Sequence, residues 1–209
     1  MSAGLVLDDV SIRLGGRELL RLTAAVGPSE VLTVTGPSGS GKSTLLALIA
    51  GVLPAAFSAS GRVTLGGAVL DGLPPERRHV GLMFQDDLLF PHLSVGRNLM
   101  FAIPPGDRAT RRAAAEAALD EVELSGTFDR DPATLSGGQR QRVALMRVML
   151  AQPRALLLDE PFSRLDRALR AATRDAVFTA ARARGLPVLL VTHDPEDAQA
   201  AGGAAVSLG

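Results

Sequence analysis

Continuous apolar runs and helical patterns alternate along the second half of the sequence. Residues 155–158 and 188–191 are short apolar runs, the pattern of strands that are buried on both faces of a parallel sheet. A helical pattern covers about residues 167–184, and residues 204–209 are a candidate for one last short strand. Strands that alternate with helices predict an α/β fold with a largely parallel sheet.

The first third of the chain carries shorter patterns of the β type. Residues 5–7, 10–12 and 31–35 are short runs typical of strands, and residues 61–70 predict a hairpin with a Gly-Gly turn. An apolar helix is predicted over residues 45–50, directly after a Gly-rich segment. This part of the chain is therefore expected to consist mainly of strands and turns.

The middle of the chain is mostly helical. Residues 108–123 are rich in Ala and carry charges at helical spacing, and another helix is predicted after Ser136. We expect a single domain in which a helical subdomain, about residues 85–152, is inserted into a core formed by about residues 1–84 and 153–209.

Composition and charge exclude several classes of protein. The 209 residues include 22 Lys and Arg and 22 Asp and Glu, so the formal net charge is zero and gives no electrostatic reason to expect nucleic acid as a partner. There is no Cys, which excludes disulfides, thiolate metal sites and Cys nucleophiles. A single lysine, Lys42, stands among arginines, at a position where a compact ammonium would be hard to replace.

No segment predicts a membrane span or a secretory signal. The longest uncharged run, residues 43–61, is broken by Pro54, whereas a spanning helix needs about 20 mostly apolar residues. The first ten residues lack a basic region followed by a long apolar one. We therefore expect a cytoplasmic protein that reaches a membrane only through a partner.

A Gly-rich segment between a predicted strand and a predicted helix matches the phosphate-binding pattern G-x-x-x-x-G-K-[ST]. It consists of Gly36, Pro37, Ser38, Gly39, Ser40, Gly41, Lys42, Ser43 and Thr44. Its glycines let backbone N–H groups face phosphate oxygens, and the helix N-terminus adds partial positive charge. We expect Lys42 to reach the β- and γ-phosphates of a nucleotide and the Ser43 hydroxyl to ligate Mg²⁺. The alternative is a chance match in a Gly/Ser-rich turn.

Acidic and imidazole side chains end the two buried strands of the second half. Asp159 and Glu160 follow the first strand, and His193 follows the second. Asp159 is a candidate Mg²⁺ ligand, Glu160 a candidate base for an attacking water, and His193 a contact for the γ-phosphate or for Glu160. The alternative is that the two acids cap a turn before Pro161 and that His193 is an ordinary turn residue.

A second Gly-containing loop also opens a predicted helix. It consists of Leu135, Ser136, Gly137, Gly138 and Gln139. A Ser hydroxyl and free N–H groups at a helix N-terminus make it a candidate for a second anion site. The alternative is an ordinary serine N-cap with a glycine turn.

These motifs together resemble those of the ATP-binding subunit of an ATP-binding cassette (ABC) transporter, in the family's order and over nearly the whole chain. They are residues 36–44, Gln85, the LSGGQ sequence at 135–139, the LLLDEP sequence at 156–161, the D-loop at 163–166 and His193. LSGGQ followed at about 20 residues by LLLDEP is a highly specific combination. The resemblance implies a P-loop NTPase core with an N-terminal antiparallel β subdomain and an inserted α-helical subdomain.

The resemblance also implies a mechanism in which two copies close face to face around two ATP molecules. Residues 136–139 of one copy then act on the ATP held by the other, with Asp166 at the interface. Glu160 is the implied general base, and Gln85 the residue that senses Mg²⁺ and links the site to the membrane partner. The implied cofactors are ATP and Mg²⁺. The further implied partners are transmembrane permease subunits and a solute-binding protein, with this chain peripheral at the inner face of the cell membrane.

Residues 84–95 resemble the corresponding segment of importer ATPases for thiamine, polyamines, sulfate, molybdate or iron, which implies solute import. Two other segments, 131–135 and 160–166, also resemble a poorly characterised bacterial group. The apolar residues of the first segment are Leu88, Leu89, Phe90 and Leu93. The resemblance places them in a groove that receives a coupling helix of the membrane subunit. The alternative is that they pack the core of the helical subdomain.

Two features depart from the family pattern. Leu14 stands where the family has an aromatic residue that stacks on adenine, and the chain has no Tyr or Trp and a first Phe, Phe57, only after the phosphate loop. Base stacking is worth about 1–3 kcal/mol, so we expect weaker ATP binding unless Arg13 or Arg17 stacks on the base instead. We also expect no regulatory C-terminal domain, because the sequence ends soon after His193.

Two other classes of protein are alternatives to a transporter ATPase. Soluble ABC proteins of DNA repair or translation carry coiled-coil insertions or two cassettes, for which 209 residues leave no room. A soluble P-loop ATPase or kinase of another class would have no use for LSGGQ. A degenerate subunit that does not hydrolyse ATP is disfavoured, because Lys42, Asp159, Glu160 and His193 are all present.

Overall fold

The computed structural model describes residues 4–208, with the backbone alone at residue 168. Within this range the strands are β1 (Leu5–Leu14), β2 (Arg17–Val26), β3 (Val31–Thr35), β4 (Phe57–Leu65), β5 (Ala68–Val69), β6 (Val80–Met83), β7 (Ala155–Asp159), β8 (Val188–Val191) and β9 (Ala204–Ser207). They form two sheets. One is antiparallel, with the order β2-β1-β4-β5, and the other is parallel, with the order β6-β7-β8-β3-β9.

The helices within the described range are α1 (Lys42–Ala50), α2 (Pro75–Arg78), α3 (Val95–Ala102), α4 (Arg108–Glu121), α5 (Gly137–Leu150), α6 (Arg167–Ala183) and α7 (Pro195–Ala201), with a short 3₁₀ turn at Pro132–Thr134. Every regular element between β6 and β7 is helical, as expected for the middle of the chain. Ser94, Asp107 and Ser136 cap the three α-helices of this segment through their side chains.

Most of the expected elements are confirmed, and four were missed. The runs at 5–7 and 10–12 belong to one strand, β1, whose pairing is interrupted by a bulge at Asp8 and Asp9. The strands β2 and β6 and the helices α2 and α7 had not been predicted. In β2 the polar residues Arg17, Glu18 and Arg21 obscure the alternation that marks a half-buried strand.

The parallel sheet is the middle layer of the molecule. Its two faces contribute to two separate apolar cores, so that Leu156 and Leu158 of β7 face one core while Leu157 faces the other. The first core contains the buried faces of α3, α4, α5 and α6, and the second contains α1 and the inner face of the antiparallel sheet. Strands that are covered on both sides explain the continuous apolar runs in the sequence.

Candidate active site

Four loops follow neighbouring strands at one edge of the parallel sheet. Gln85 lies just after β6, Glu160 after β7, His193 after β8, and residues 36–41 join β3 to α1. These four strands are adjacent in the order β6-β7-β8-β3, and their carboxyl ends share an edge because the strands are parallel. The topology therefore brings together residues that are far apart in the sequence, at the edge where open α/β sheets bind ligands.

The phosphate loop presents an open helix N-terminus. Gly41, the N-cap residue of α1, has a φ of 89° and no side chain to bond the first N–H groups of the helix. A Cβ on Gly41 would lie 2.7 Å from the Leu20 side chain, so the loop packs closely on β2. The Lys42 ammonium crosses the loop and donates hydrogen bonds to the carbonyls of Gly36 (2.9 Å) and Pro37 (2.8 Å). The expected anion site and its cation are therefore adjacent.

Glu160 lies at the centre of a cluster of three polar side chains, each of which follows a different strand. Its Oε1 lies 2.9 Å from Nδ1 of His193, and its Oε2 accepts a hydrogen bond of 3.4 Å from Nε2 of Gln85. The Glu160 backbone has a φ of 46°, rare for a residue other than glycine, and its N–H donates to the carbonyl of Val191 at 2.9 Å. The Glu160 carboxylate is thus oriented toward Gln85 and His193.

Asp159 is buried beside the phosphate loop. Burial raises the pKa of its carboxyl; a hydrogen bond from the Ser43 side chain opposes that shift, and the nearby charge of Glu160 adds to it. A buried carboxylate joined to a hydroxyl supplies the oxygen ligands that Mg²⁺ prefers, and Mg²⁺ needs only one or two protein ligands when phosphates supply others. Among residues 4–208, no three His, Cys, Asp or Glu side chains cluster as a separate metal site.

Leu14 lies in a cleft of about 460 Å³ at the side of the phosphate loop. The cleft is also lined by Arg17, Glu18, Leu19 and residues 37–40. Leu14 is 47% exposed, so its apolar surface is available to a ligand. Arg13, the other arginine considered at sequence level, does not line the cleft, and its Nη2 lies 4.0 Å from Oε2 of Glu18.

The LSGGQ loop has a conventional helix cap. The Ser136 hydroxyl accepts from the N–H of Gln139 at 3.2 Å, and the Gln139 side chain accepts from the N–H of Ser136 at 2.9 Å. Within the described residues no hydrogen bond joins this loop to the phosphate loop. A Cβ on Gly137 would meet nothing within 4 Å, whereas one on Gly138 would lie 3.3 Å from the carbonyl of Arg164. One chain does not bring the two glycine loops together.

Two charged networks around the site were missed at sequence level. Asp197, only 1% exposed, accepts hydrogen bonds from Arg170, Arg174 and the Thr192 hydroxyl. This network ties the middle of α6 to the residue before His193. The sequence offered one indication of this network, because Arg170 and Arg174 stand four residues apart and so share one face of the predicted helix.

The second network holds the loop after Gln85. Asp86 pairs with Arg164 of the D-loop at 2.5 Å, and Asp87 pairs with Arg140, the residue after LSGGQ, at 2.9 Å. Arg147 also donates to the carbonyl of Asp87 at 3.2 Å. The loop after Gln85 is therefore joined by ion pairs to the D-loop and to the residue that follows LSGGQ.

The apolar residues of the same loop differ in burial. Leu89 packs against the core of the helical segment, as in the alternative interpretation. Leu88 is 56% exposed, and Phe90 is half-buried, with its ring 4.9 Å from that of Phe101. Phe101 is 68% exposed and had not been noticed in the sequence. Leu88, Phe90 and Phe101 are called the apolar patch below.

No helix among residues 4–208 is both long enough and apolar enough to span a membrane.

Sequence comparisons identify relatives along nearly the whole chain. The family model described as ABC transporter matches residues 19–163. An uncharacterised ABC transporter ATP-binding protein, YnjD of Escherichia coli (strain K12), is 49% identical over 94% of this chain and 91% of its own length. The thiamine import ATP-binding protein ThiQ of Ruegeria sp. (strain TM1040) is 43% identical over 92% and 83%. The Fe(3+) ions import ATP-binding protein FbpC of Streptomyces avermitilis is 43% identical over 93% of this chain and 56% of its own length.

The fold also matches solved structures. A dimeric structure of the ATP-binding cassette MJ0796 in a post-hydrolysis state, bound to ADP and Pi, aligns with a TM-score of 0.84 and 28% identity over 98% of this chain and 94% of that one. A dimeric structure of MJ0796, described as a bacterial ABC transporter cassette, aligns with a TM-score of 0.85 and 27% identity. The comparisons give no support to a soluble P-loop kinase. The chain belongs to the ABC transporter family, as an ATP-binding subunit that hydrolyses ATP.

Proposed function

We propose that this chain powers the import of a solute through transmembrane permease subunits, and that residues 36–44, Gln85, Asp159, Glu160 and His193 form its ATP site. The observation that carries the proposal is the convergence of Gln85 and His193 on the Glu160 carboxylate, beside a glycine loop that opens a helix without a side-chain cap. A carboxylate with two polar neighbours next to an anion site fits the activation of water beside a terminal phosphate.

ATP binding begins at the phosphate loop. The N–H groups of the loop and of the first turn of α1 receive the phosphate oxygens, and the Lys42 ammonium exchanges the carbonyls of Gly36 and Pro37 for the β- and γ-phosphates. Ser43, Asp159 and the amide oxygen of Gln85 would hold Mg²⁺, which supplies charge neutralisation at the phosphates when bound.

Glu160 then orients the attacking water and takes its proton. Because Oε1 lies 2.9 Å from His193 and Oε2 faces Gln85, rotation of the carboxylate is restricted and its direction is fixed before the substrate arrives. His193 acts on Glu160 through Nδ1, which is the second of the two roles considered for it. General-base catalysis of this kind contributes about 10²–10⁴-fold to a rate.

A second copy of the chain completes each site. The cap bonds the N–H of Gln139, and a helix leaves its other first N–H groups without a partner inside the helix. The space at Gly137 is open, so the loop is accessible to the phosphates held by another molecule. The dimeric forms of MJ0796 support this arrangement. We infer that residues 136–139 act in trans and that Asp166 and the rest of the D-loop lie at the interface.

The membrane subunits are proposed to dock on the apolar patch of Leu88, Phe90 and Phe101, which exposes aromatic and aliphatic surface beside the Gln85 loop. The helical segment over residues 85–152 would then act as a subdomain that transmits closure to the permease. The import relatives for thiamine and Fe(3+) support the direction of transport. The chain would lie in the cytoplasm at the inner face of the membrane, with a solute-binding protein in the complete system.

Light scattering on Glu160→Gln protein, with and without ATP in the absence of Mg²⁺, tests the proposal. We expect a monomer that becomes a dimer when ATP is added, because the variant binds ATP without hydrolysing it. Glu121→Gln, which changes an exposed carboxylate on α4, is the matched control and keeps normal turnover. A variant that binds ATP and stays monomeric would contradict the shared site.

A further inference from the structure

The cleft beside the phosphate loop is positioned to hold the base of the nucleotide. The side chain of Leu20 and that of Leu19, both on β2, lie against Gly41, so the β1–β2 hairpin is fixed relative to the phosphate loop. A nucleotide with its phosphates on residues 36–44 can therefore place its base and sugar in the cleft between this hairpin and the loop. The cleft is lined by Leu14, Arg17, Glu18 and Leu19 of the hairpin and by residues 37–40 of the loop.

The hairpin places Leu14 and Arg17 next to each other. Gly15 and Gly16 form its two-residue turn with φ values of 56° and 82°, which makes Leu14 and Arg17 direct cross-strand partners. Directly opposed residues project from the same face of a sheet, so both side chains lie on one side of the hairpin. Ile12, two residues earlier on that face, is fully buried in the second core. Leu14 and Arg17 therefore lie on the face of the hairpin that packs against the second core at Ile12, at the end of that face where the core stops.

The structure distinguishes the two arginines that the sequence left as alternatives. The Arg13 guanidinium is near the Glu18 carboxylate, which also accepts a hydrogen bond from Ser11, and it lies outside the cleft. The Arg17 side chain lines the cleft and makes no hydrogen bond or ion pair with any other residue in the 4–208 range. A guanidinium without a carboxylate partner is free to lie flat on an aromatic ring.

We propose that Arg17 is the base-binding residue of this ATPase, with its guanidinium plane stacked on the purine and Leu14 in contact beside it. The pair replaces the aromatic side chain that the chain lacks. The inference rests on the proposed phosphate site. Because the guanidinium contacts the π face of a base and not its edge, the pair gives little discrimination between purines.

Phe57 is the competing candidate. It lies directly opposite Leu14 in the β1–β4 register, on the side of Leu14 away from Arg17. Its side chain packs against the second core, and it is not among the residues that line the cleft. The sequence had set Phe57 aside because it follows the phosphate loop, so the structure makes it the natural comparison for Arg17.

The test compares ATP with inorganic tripolyphosphate, which carries the phosphates without a base. Dissociation constants are measured by calorimetry for the wild type, Arg17→Ala, Arg13→Ala and Phe57→Leu. We expect Arg17→Ala to weaken ATP binding about tenfold, as for loss of one stacking partner, and to leave tripolyphosphate binding unchanged. Arg13→Ala and Phe57→Leu should change neither constant, and wild-type protein should bind ATP and GTP within about threefold of each other.

The other outcomes separate the inference from its foundation. Equal losses of ATP and tripolyphosphate binding in Arg17→Ala would mean that Arg17 acts on the phosphates, and no loss of either would mean that it does not touch the nucleotide. A selective loss of ATP binding in Phe57→Leu would mean that the base contacts Phe57 on β4. Each of these results overturns the role of Arg17. Wild-type protein that binds neither ligand would instead overturn the proposed phosphate site.

Discussion

Two helices of this molecule begin at glycine-rich loops, and the two N-termini are completed in different ways. The N-cap residue of α1 is Gly41, which has no side chain, while that of α5 is Ser136, whose hydroxyl and backbone N–H are both paired with Gln139. The first loop is surrounded by an ammonium, a buried carboxylate and the Glu160 group. The second has its own cap and the neighbouring Arg140, whose guanidinium donates to the Leu135 carbonyl and pairs with Asp87. One chain therefore carries the groups proposed for catalysis at α1, whereas α5 offers only backbone N–H donors and the Ser136 hydroxyl.

Under the proposed shared site, this difference divides the groups of each ATP site between two copies of the chain. Two features of the α1 end oppose folding, namely the burial of the Asp159 carboxylate and the positive φ of Glu160. The α5 end is ordinary and stable by itself. The following changes test whether the chemistry is confined to the first end and whether the second acts only across an interface.

Removal of the Glu160 carboxylate should have the largest effect. Glu160→Gln keeps the size and hydrogen-bonding capacity of the side chain but cannot take a proton, so turnover should fall about 10²–10⁴-fold while ATP binding remains. Steady-state phosphate release and an ATP binding curve are the measurements. Turnover near that of wild type would mean that another residue activates the water.

Replacement of Lys42 should lower turnover about 10²–10³-fold, the scale for loss of one group that stabilises transition-state charge. Lys42→Ala should also weaken ATP binding. Lys42→Arg keeps the positive charge, but a planar guanidinium does not fit the space between the carbonyls of Gly36 and Pro37, so we expect it to fail as well. Normal hydrolysis by either variant would refute the phosphate-loop assignment.

A change at Gly137 tests the α5 end. Gly137→Asp has room in the monomer and places a negative charge favourably at a helix N-terminus, so the melting temperature should hold or rise. Turnover should nevertheless be lost, because the new carboxylate repels the phosphates presented by the second copy. An equal mixture with Lys42→Ala should recover about a quarter of wild-type turnover, since half of random two-fold dimers then contain one intact site out of two. No recovery would show that the loop acts within its own chain.

The base cleft should respond more weakly. Leu14→Tyr adds a ring face where the base is expected, and ATP should bind up to about tenfold more tightly, with tripolyphosphate unaffected. Titration calorimetry with both ligands checks this. An unchanged ATP affinity would mean that the base is held elsewhere.

The smallest effects are expected on the melting temperature. A variant beside α1 should raise it, and a variant at the start of α5 should lower it. Burial raises the pKa of the Asp159 carboxyl above its value in the unfolded chain. The free energy of unfolding therefore falls as the pH rises from the unfolded pKa to the folded pKa, and the full destabilisation is present above the folded pKa. Asp159→Asn should therefore raise the melting temperature at pH 7, with a gain that disappears below pH of about 4. Ser136→Ala should lower it by about 2–4 °C at either pH, because loss of an N-cap costs about 1 kcal/mol.

Thermal unfolding at the two pH values measures both variants, with Asp175→Asn, an exposed carboxylate on α6, as the control for Asp159. A destabilised Asp159→Asn at pH 7 would show that the carboxylate is structurally required. The contrast between a chemical and a structural helix end would then be lost.

Much of the fold followed from local pattern. The buried strands β7 and β8, the helix after the phosphate loop and the helical middle were predicted, because burial on two faces and caps such as Gly51 and Ser136 leave clear traces in the sequence. The strand β2 was missed since three of its residues are charged, and its inward face is visible only once it pairs with β1.

The site was predicted residue by residue but not as geometry. Glu160 and His193 were identified from their positions after predicted strands, and Gln85 from the resemblance to the ABC family. The order of the strands, which puts the three side chains within hydrogen-bonding distance, could not be predicted from the sequence. The position of Phe57 opposite Leu14 and the burial of Asp197 also depend on pairing between distant segments. The roles of these residues stay predictions until the variants above are measured.

Lys42 is the only lysine among the 209 residues, and its amine sits inside the phosphate loop. Apart from the α-amino group, an amine-selective reagent therefore has one target in the whole chain, since the guanidinium of arginine does not react in the same way. Covalent labelling of this protein is in effect a footprint of its nucleotide site. The fraction of chains protected by a ligand can be counted by mass, without a tag, a dye or an engineered residue.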